Sequence, residues 1–346
     1  AKTGPMGIAM DTVPNYAQVY SYYTVISKTG IYGHVSLEKR GLVYIQDCHI
    51  RPDHKTGTVT SELTVRSNLN IESEISIEYT ITDRGQCVAE EKISTKLQPM
   101  SDTVISLSAT LEQFELWSPE DPKLYGIHIG ITSSSGLAET FNRRIGFKDF
   151  RVENGYFMLN GRRIWLSCAH SMATKEAIVH AKTMGFGALR FLSEMPSPEL
   201  LDFCDEIGMM VYEECAVSWG MSDYPDMEAH MHSYLDNMIR RDRNHVCVGI
   251  WGVFNEQPGP NVGRSHPRIP QTSAVFETAV NYLPAMRTLD PTRLILLSSG
   301  RWDARADIGS YANPGSSVCS TSSISFAPGY GNSRGAPGII RSAEGT

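Results

Sequence analysis

The sequence predicts a multidomain chain in which an antiparallel β-sandwich over residues 41–145 is followed by a parallel (β/α)8 barrel over residues 146–346. Three observations carry this prediction. From about residue 41 to 145, short runs alternate polar and apolar residues with period two: LVYIQDCHI, GTVTSELTVRSN, IESEISIEYTITD, TVISLSATLEQF and LYGIHIGITSSSG. Turn residues such as Asp53, Gly57, Asn68 and Asp83-Arg84-Gly85 separate these runs, at the spacing of a sandwich. After FNRRIGFKDF the order becomes strand, helix, strand, as in β/α folds. Finally, no Gly-rich phosphate-binding turn follows the first of these strands, which favours a barrel over a dinucleotide-binding sheet.

The elements of the second part can be justified in order. IWLSC (164–168) reads as the first strand, and Thr174 to Met184 as a helix stopped by Gly185. Gly187 to Phe191 is the second strand. Ser197-Pro198-Glu199 is a helix start with a capping hydroxyl, a preset φ and an acid in the first turn, and Gly208 ends that helix. Met209 to Glu214 is the third strand, and a polar helix follows over 227–243. Val246 to Phe254 is apolar on both parities, as a doubly buried parallel strand must be. A helix over 273–289 contains Pro284, Leu294 to Ser298 is the fifth strand, and Ile308 to Tyr311 is a weaker sixth. A closed barrel of this type needs eight strands. The remaining tail is rich in Ser, Gly and Pro and offers only short apolar hints, so the barrel is expected to be incomplete.

Composition narrows the function classes. The net charge of −7 on 346 residues provides no basic surface, so neither nucleic acid nor an anionic membrane is expected as a partner. No run of about 18 apolar residues is present. The start, AKTGPMGIAM, has neither the basic nor the apolar region of a signal peptide; without an initiator Met it leaves the compartment unread. Seven widely spaced cysteines form no C-x-x-C pair, and Cys168, Cys204, Cys215 and Cys247 sit among apolar residues as small hydrophobes. Neither a cofactor nor a metal site is expected, and a homo-oligomer is left open.

Active sites of barrels lie at the C-terminal ends of the strands. Residues leaving the strands here are His170, Arg190, Glu213-Glu214, Asn255-Glu256 and the run from Ser299 to Trp302 and Asp303. The set is rich in carboxylates, amides, Arg and Trp, and it contains no H-E-x-x-H and no Ser/His or Cys/His nucleophile spacing. Paired carboxylates with aromatic platforms point to glycosidic bond cleavage, in which one acid protonates the leaving oxygen and a second attacks the sugar or activates water. Alternation along a strand sends one of Glu213 and Glu214 inward and the other outward, and Glu214 is taken as pocket-lining. Arg190 reads equally as an ion-pair partner for strand-end carboxylates and as a substrate contact. Trp251 reads as core, Asp242 as a partner of its arginine neighbours, and Trp302 and Trp219 as surfaces on which a sugar ring could stack.

At these residues a family resemblance becomes visible. NHVCVGIWGVFNE is similar to the acid/base signature of glycoside hydrolase family 2, which includes β-galactosidases, β-glucuronidases and β-mannosidases. GYFMLNGRRIWLSCAH, GALRF and ELLDFCDEIGMMVYEE resemble its first barrel strands, LWSPEDPKLY and RRIGFKDFRV the end of its immunoglobulin-like sandwich, and GIYGHVSLEK the end of its N-terminal sugar-binding jelly roll. The resemblance covers about residues 30–313. It implies that residues 1–40 are the remnant of the jelly roll, 41–145 the immunoglobulin-like domain and 146–346 a truncated catalytic barrel. It also implies a retaining exo-β-glycosidase, β-galactosidase-like by default, with Glu256 as general acid/base and Asn255 near the sugar 2-hydroxyl. His170 and Arg190 fall on pocket positions. Where the family commonly shows a Ser-His pair, this chain has FLSEM, which puts Glu194 near the place of that His. The family nucleophile is a Glu ending the seventh strand. Here it is Glu344, in GIIRSAEGT, or it is absent from the chain, and a silent carbohydrate-binding fragment is then the alternative.

Overall fold

The computed structural model describes residues 39–133, 136–171, 173–191, 195–215, 226–254, 274–298 and 307. The jelly-roll remnant expected over residues 1–40 lies outside these except for its last two residues, and so does the expected sixth strand. The described chain builds two antiparallel sheets that face each other, then a small hairpin sheet, then a parallel sheet with helices.

The sandwich uses β1 (Val43–Pro52), β2 (Thr58–Ser67), β3 (Ser73–Asp83), β4 (Gln86–Leu97), β5 (Asp102–Thr110), β6 (Tyr125–Ser133) and β7 (Gly136–Ile145). One sheet is ordered β1-β2-β5 and the other β4-β3-β6-β7. Alternate residues of β2 and β3, among them Leu63, Val65, Ile75, Ile77 and Ile81, are buried, as the period-two pattern requires. Within this core, buried Ser61 donates to the Tyr79 hydroxyl over 2.9 Å. The β3–β4 hairpin turns through Arg84 (φ 49°) and Gly85 (φ 82°), the double positive φ of a type I′ turn.

A three-stranded hairpin sheet follows, from β8 (Phe150–Glu153), β9 (Tyr156–Leu159) and β10 (Arg162–Arg163). Its bends are Asn154-Gly155 and Asn160-Gly161, again with positive φ at both residues.

The parallel sheet is ordered β11 (Cys168–Ser171), β12 (Ala188–Phe191), β13 (Met210–Glu214), β14 (Val248–Phe254) and β15 (Leu294–Ser298). Helices α1 (Lys175–Thr183), α2 (Pro198–Ile207), α3 (Met227–Asp242) and α4 (Ala274–Leu289) connect its strands. Every described side chain of β12, β13 and β14 is buried, because sheet neighbours flank them, helices cover one face and the barrel interior the other. The expected cap at Ser197 is in place, its Oγ accepting from Leu200 N, and Thr174, read as the first residue of α1, is instead its cap, with Oγ1 accepting from Ala177 N over 3.2 Å. Gly208 closes α2 at φ 73°, and a Cβ there would lie 2.5 Å from Pro119 O, so both conformation and space require glycine.

Boundaries differ from the sequence reading in several strands, among them β14, which begins at Val248 and not at Val246. The first parallel strand begins at Cys168 and not at Ile164. Parallel pairing with β12 fixes its register, with Cys168 opposite Ala188, while Ile164 N bonds Phe157 O in the hairpin sheet. Hydrophobicity identified Ile164 and Leu166 as core-packing residues, but ladder pairing decides which residues form the strand.

Sandwich and parallel sheet have separate hydrophobic cores. Trp117, from the stretch between β5 and β6, is fully buried in the core of the parallel sheet, and its indole donates to Asp205 O over 2.9 Å.

Candidate functional site

Parallel register brings the strand ends level. His170 lies opposite Arg190, Arg190 opposite Tyr212, Glu214 opposite Gly252, and Phe254 opposite Ser298. These are the C-terminal ends of the strands, where a β/α barrel carries its chemistry.

Arg190 and Glu214 meet there. The guanidinium donates Nε to Glu214 Oε2 over 3.1 Å and Nη2 to Oε1 and Oε2 over 3.0 and 2.7 Å. Both residues are buried, so the pair is worth holding only because its geometry is forked and further bonded. The further bond comes from Tyr212, whose hydroxyl donates to Glu214 Oε2 over 2.9 Å while its ring lies 5.2 Å from the guanidinium carbon. Tyr212 and Glu214 are two apart on β13 and therefore share a face. Burial acts to lower the Arg190 pKa, and the Glu214 charge outweighs it, so Arg190 is held more firmly protonated than usual.

Gly252 makes room for this arrangement. A Cβ on it would sit 2.2 Å from Tyr212 Cε2, so a bare backbone on β14 is what lets the tyrosine ring lie against the strand.

Glu213 projects from the other face of β13 and is fully buried. Its carboxyl meets that of Asp242, a contact in which a protonated Glu213 donates to the Asp242 carboxylate. Arg241 Nη2 is 3.8 Å from Oε1, yet that guanidinium is committed to Asp242, with Nε–Oδ1 at 2.8 Å and Nη2–Oδ2 at 2.6 Å. Burial, reinforced by the Asp242 charge, pushes the Glu213 pKa well above the usual carboxylate range. Asp242 pairs with its arginine neighbour as the sequence implied.

Of the sequence-predicted site residues, Arg190 and Glu214 are brought together, and His170 occupies the neighbouring register position on β11. Asn255, Glu256, Glu194, Trp302, Glu344 and Trp219 lie outside the described residues. Trp251 is core, as expected, with its indole donating to Asp290 Oδ2 over 2.9 Å. Sequence reasoning did not single out Tyr212 or Gly252. The i, i+2 spacing of Tyr212 and Glu214 was the available signal for the first, and nothing local marked the second.

The remaining cluster of ligand-type side chains among the described residues is Asp202, Asp205 and His245, whose donor atoms lie within 4.8 Å of one another. It is already internally bonded. Asp205 Oδ2 meets His245 Nδ1 at 2.8 Å, Oδ1 accepts from Cys247 N at 2.7 Å, and Asp202 pairs with Arg144 at 3.3 Å. His245 precedes β14, so the cluster belongs to the opposite end of the sheet from the strand-end residues.

A β-sandwich leading into a parallel β/α sheet defines the class: a β/α barrel protein with an attached sandwich. Comparison with known proteins agrees. The glycosyl hydrolases family 2 profile matches residues 43–148, and the profile of that family's TIM barrel domain matches residues 150–313. The chain belongs to glycosyl hydrolases family 2. It is 26% identical over 257 residues to a β-galactosidase of Bacteroides ovatus, covering 66% of this chain and 30% of that protein. A β-galactosidase of Halalkalibacterium halodurans is 25% identical over 324 residues, covering 83% of this chain and 30% of its own length. The chain thus spans about a third of these curated relatives. Among solved structures, a Bacteroides uniformis β-glucuronidase superposes with a TM-score of 0.64 at 21% identity, covering 73% of this chain and 34% of that one. A β-galacturonidase of Eisenbergiella tayi bound to galacturonate gives 0.63 at 23%, covering 74% and 47%. No described helix is long and apolar enough to cross a membrane.

Proposed function

We propose that this protein is a retaining exo-β-glycosidase acting on terminal β-linked sugars, with Glu256 as general acid/base and Asn255 as the amide that holds the sugar 2-hydroxyl. The observation that carries the reading is the position of β14. It lies between β13 and β15, its end is level with the Arg190–Glu214 pair, and Asn255-Glu256 follow its last residue in sequence. Glu256 protonates the departing glycosidic oxygen in the first half-reaction and deprotonates water in the second. Arg190 and Glu214 line the pocket as a neutralised pair, so they offer hydrogen-bonding edges to sugar hydroxyls without a net charge. His170, Glu194 and Trp302 complete the substrate-binding set, and Trp302 offers the aromatic face. Glu344 is the candidate nucleophile. A retaining pair places it about 5 to 5.5 Å from Glu256.

The β-galactosidases among the relatives make β-galactosides the first substrates to try, with β-glucuronides and β-mannosides beside them. In a panel of nitrophenyl β-glycosides, one sugar is expected to turn over, with the β-anomer retained as first product. Glu256→Gln is expected to lose roughly 10²- to 10⁴-fold. Sugar binding without turnover on any member would sink the enzyme reading in favour of a silent carbohydrate-binding protein. Full activity of Glu256→Gln would sink the assignment of the acid.

A further inference from the structure

The N-terminal end of β14 is tied down from several directions at once. Lys148, at the exit of the sandwich, donates its ammonium to Val246 O and, over 2.9 Å, to Val248 O. Its Nζ also lies 5.4 Å from the Trp117 ring centre, and burial lowers its pKa to about 7. Asn244 binds the edge strand β1 as a peptide would, donating Nδ2 to Cys48 O over 2.8 Å and accepting Ile50 N over 2.9 Å. Arg243 reaches Asp47 of the same strand over 2.7 Å and Leu289 O over 2.9 Å. From the barrel side, Arg293 donates to His245 O over 2.8 Å and Asp205 accepts from Cys247 N over 2.7 Å. Gly146 abuts Val246 so closely that a Cβ there would lie 3.0 Å from its Cγ2. Residues 244–248 are therefore tied to the backbone of β1 through the Asn244 side chain, and are held by side chains from α2, from the β15 approach and from the sandwich exit.

None of these groups touches a strand-end residue, and none is explained by the Arg190–Glu214 site. What they share is β14. That strand is seven residues long, buried, and stiff, so its base and its tip move together. A general acid misplaced by about 1 Å loses on the order of 10²-fold in rate.

We propose that the sandwich positions the acid/base of this enzyme by clamping the base of β14, with Lys148 and Asn244 as the positioning residues. This rests on the reading of Glu256 given above. The clamp acts on proton delivery to the leaving group, so its loss spares substrates whose leaving group needs no proton.

The test compares wild type with Lys148→Met, Lys148→Arg, Asn244→Leu and Glu256→Gln on a phenyl and a 2,4-dinitrophenyl glycoside of the accepted sugar. Lys148→Met and Asn244→Leu are expected to lower kcat on the phenyl glycoside about 10- to 100-fold with KM nearly unchanged. Glycosylation of either variant by the dinitrophenyl glycoside should stay within about threefold, and Lys148→Arg should restore most of the loss. Equal losses on both substrates, or none, while Glu256→Gln discriminates between them, would overturn the clamp and leave the acid/base reading intact. If Glu256→Gln itself fails to discriminate, the acid/base reading falls and this proposal with it. In a preparation without turnover, amide exchange decides. A rise of about tenfold confined to Gly249–Val253 supports the clamp, and a uniform rise or no change overturns it.

Discussion

Glu213 and Glu214 are adjacent on one strand and equally buried, yet their situations are opposite. Glu214 faces a forked arginine and a tyrosine hydroxyl; Glu213 faces Asp242, whose own arginine is already engaged. Burial alone therefore does not say what a carboxylate does. Its partners do, and strand alternation assigned the two side chains to different partners. Glu214 lies at the strand ends, bonded to Arg190 and Tyr212. Glu213 lies against Asp242 at the end of α3, and burial together with that carboxylate pushes its pKa well above the usual range.

Removing a partner on the Glu214 side should have the largest effect. Arg190→Met leaves Glu214 buried without its counter-charge, and the cost is expected to be about 3 to 5 kcal/mol in urea unfolding. A loss below about 1 kcal/mol would mean that Glu214 is not committed to this pair.

Gly252→Ala attacks the same pair from the neighbouring strand. The new methyl collides with a ring that is itself buried, so a loss of about 3 kcal/mol is expected, with Tyr212 displaced from Glu214 in a crystal structure of the variant. Tyr212→Phe keeps the ring and deletes one charged hydrogen bond, so about 2 kcal/mol should go. If the two variants lose equal amounts, the hydroxyl and not the steric fit accounts for the glycine.

The Glu213 side should respond in the other direction. In the unfolded chain Glu213 ionises near the ordinary glutamate value of about 4.3, and in the folded protein only at higher pH. The folded state thus holds the proton longer. Stability from this group is complete below about pH 4 and is lost as the pH climbs toward the folded pKa. Glu213→Gln should remove that slope and raise stability near pH 7 by about 1 kcal/mol, where each tenfold displacement of an ionisation equals about 1.4 kcal/mol. Urea titrations at pH 4 and pH 8 would show it, and an unchanged slope would assign the titration to another group.

How much was legible varies by element. The caps at Ser197 and Gly208 were readable because each acts over three or four residues. The strand beginning at Cys168 was misplaced by four residues, since its start depends on a partner twenty positions away. The hairpin sheet β8–β9–β10 was hidden within what read as the approach to the first barrel strand, although Asn154-Gly155 and Asn160-Gly161 carried its turn signals. At the site, the sequence nominated Arg190 and Glu214 separately. Only the register of β12 against β13 made them one forked pair.

By itself, the sequence determined the succession of a period-two sandwich and a β/α barrel, and the family, because periodicity, caps and a contiguous motif are local properties. Tertiary structure decided that Trp117 serves the barrel core, that Asn244 reads the edge of β1, that Gly252 is bare for Tyr212, and that of two neighbouring glutamates one meets an arginine and the other a second carboxyl. Each of these joins residues far apart in the chain, and no local pattern encodes which of them will meet.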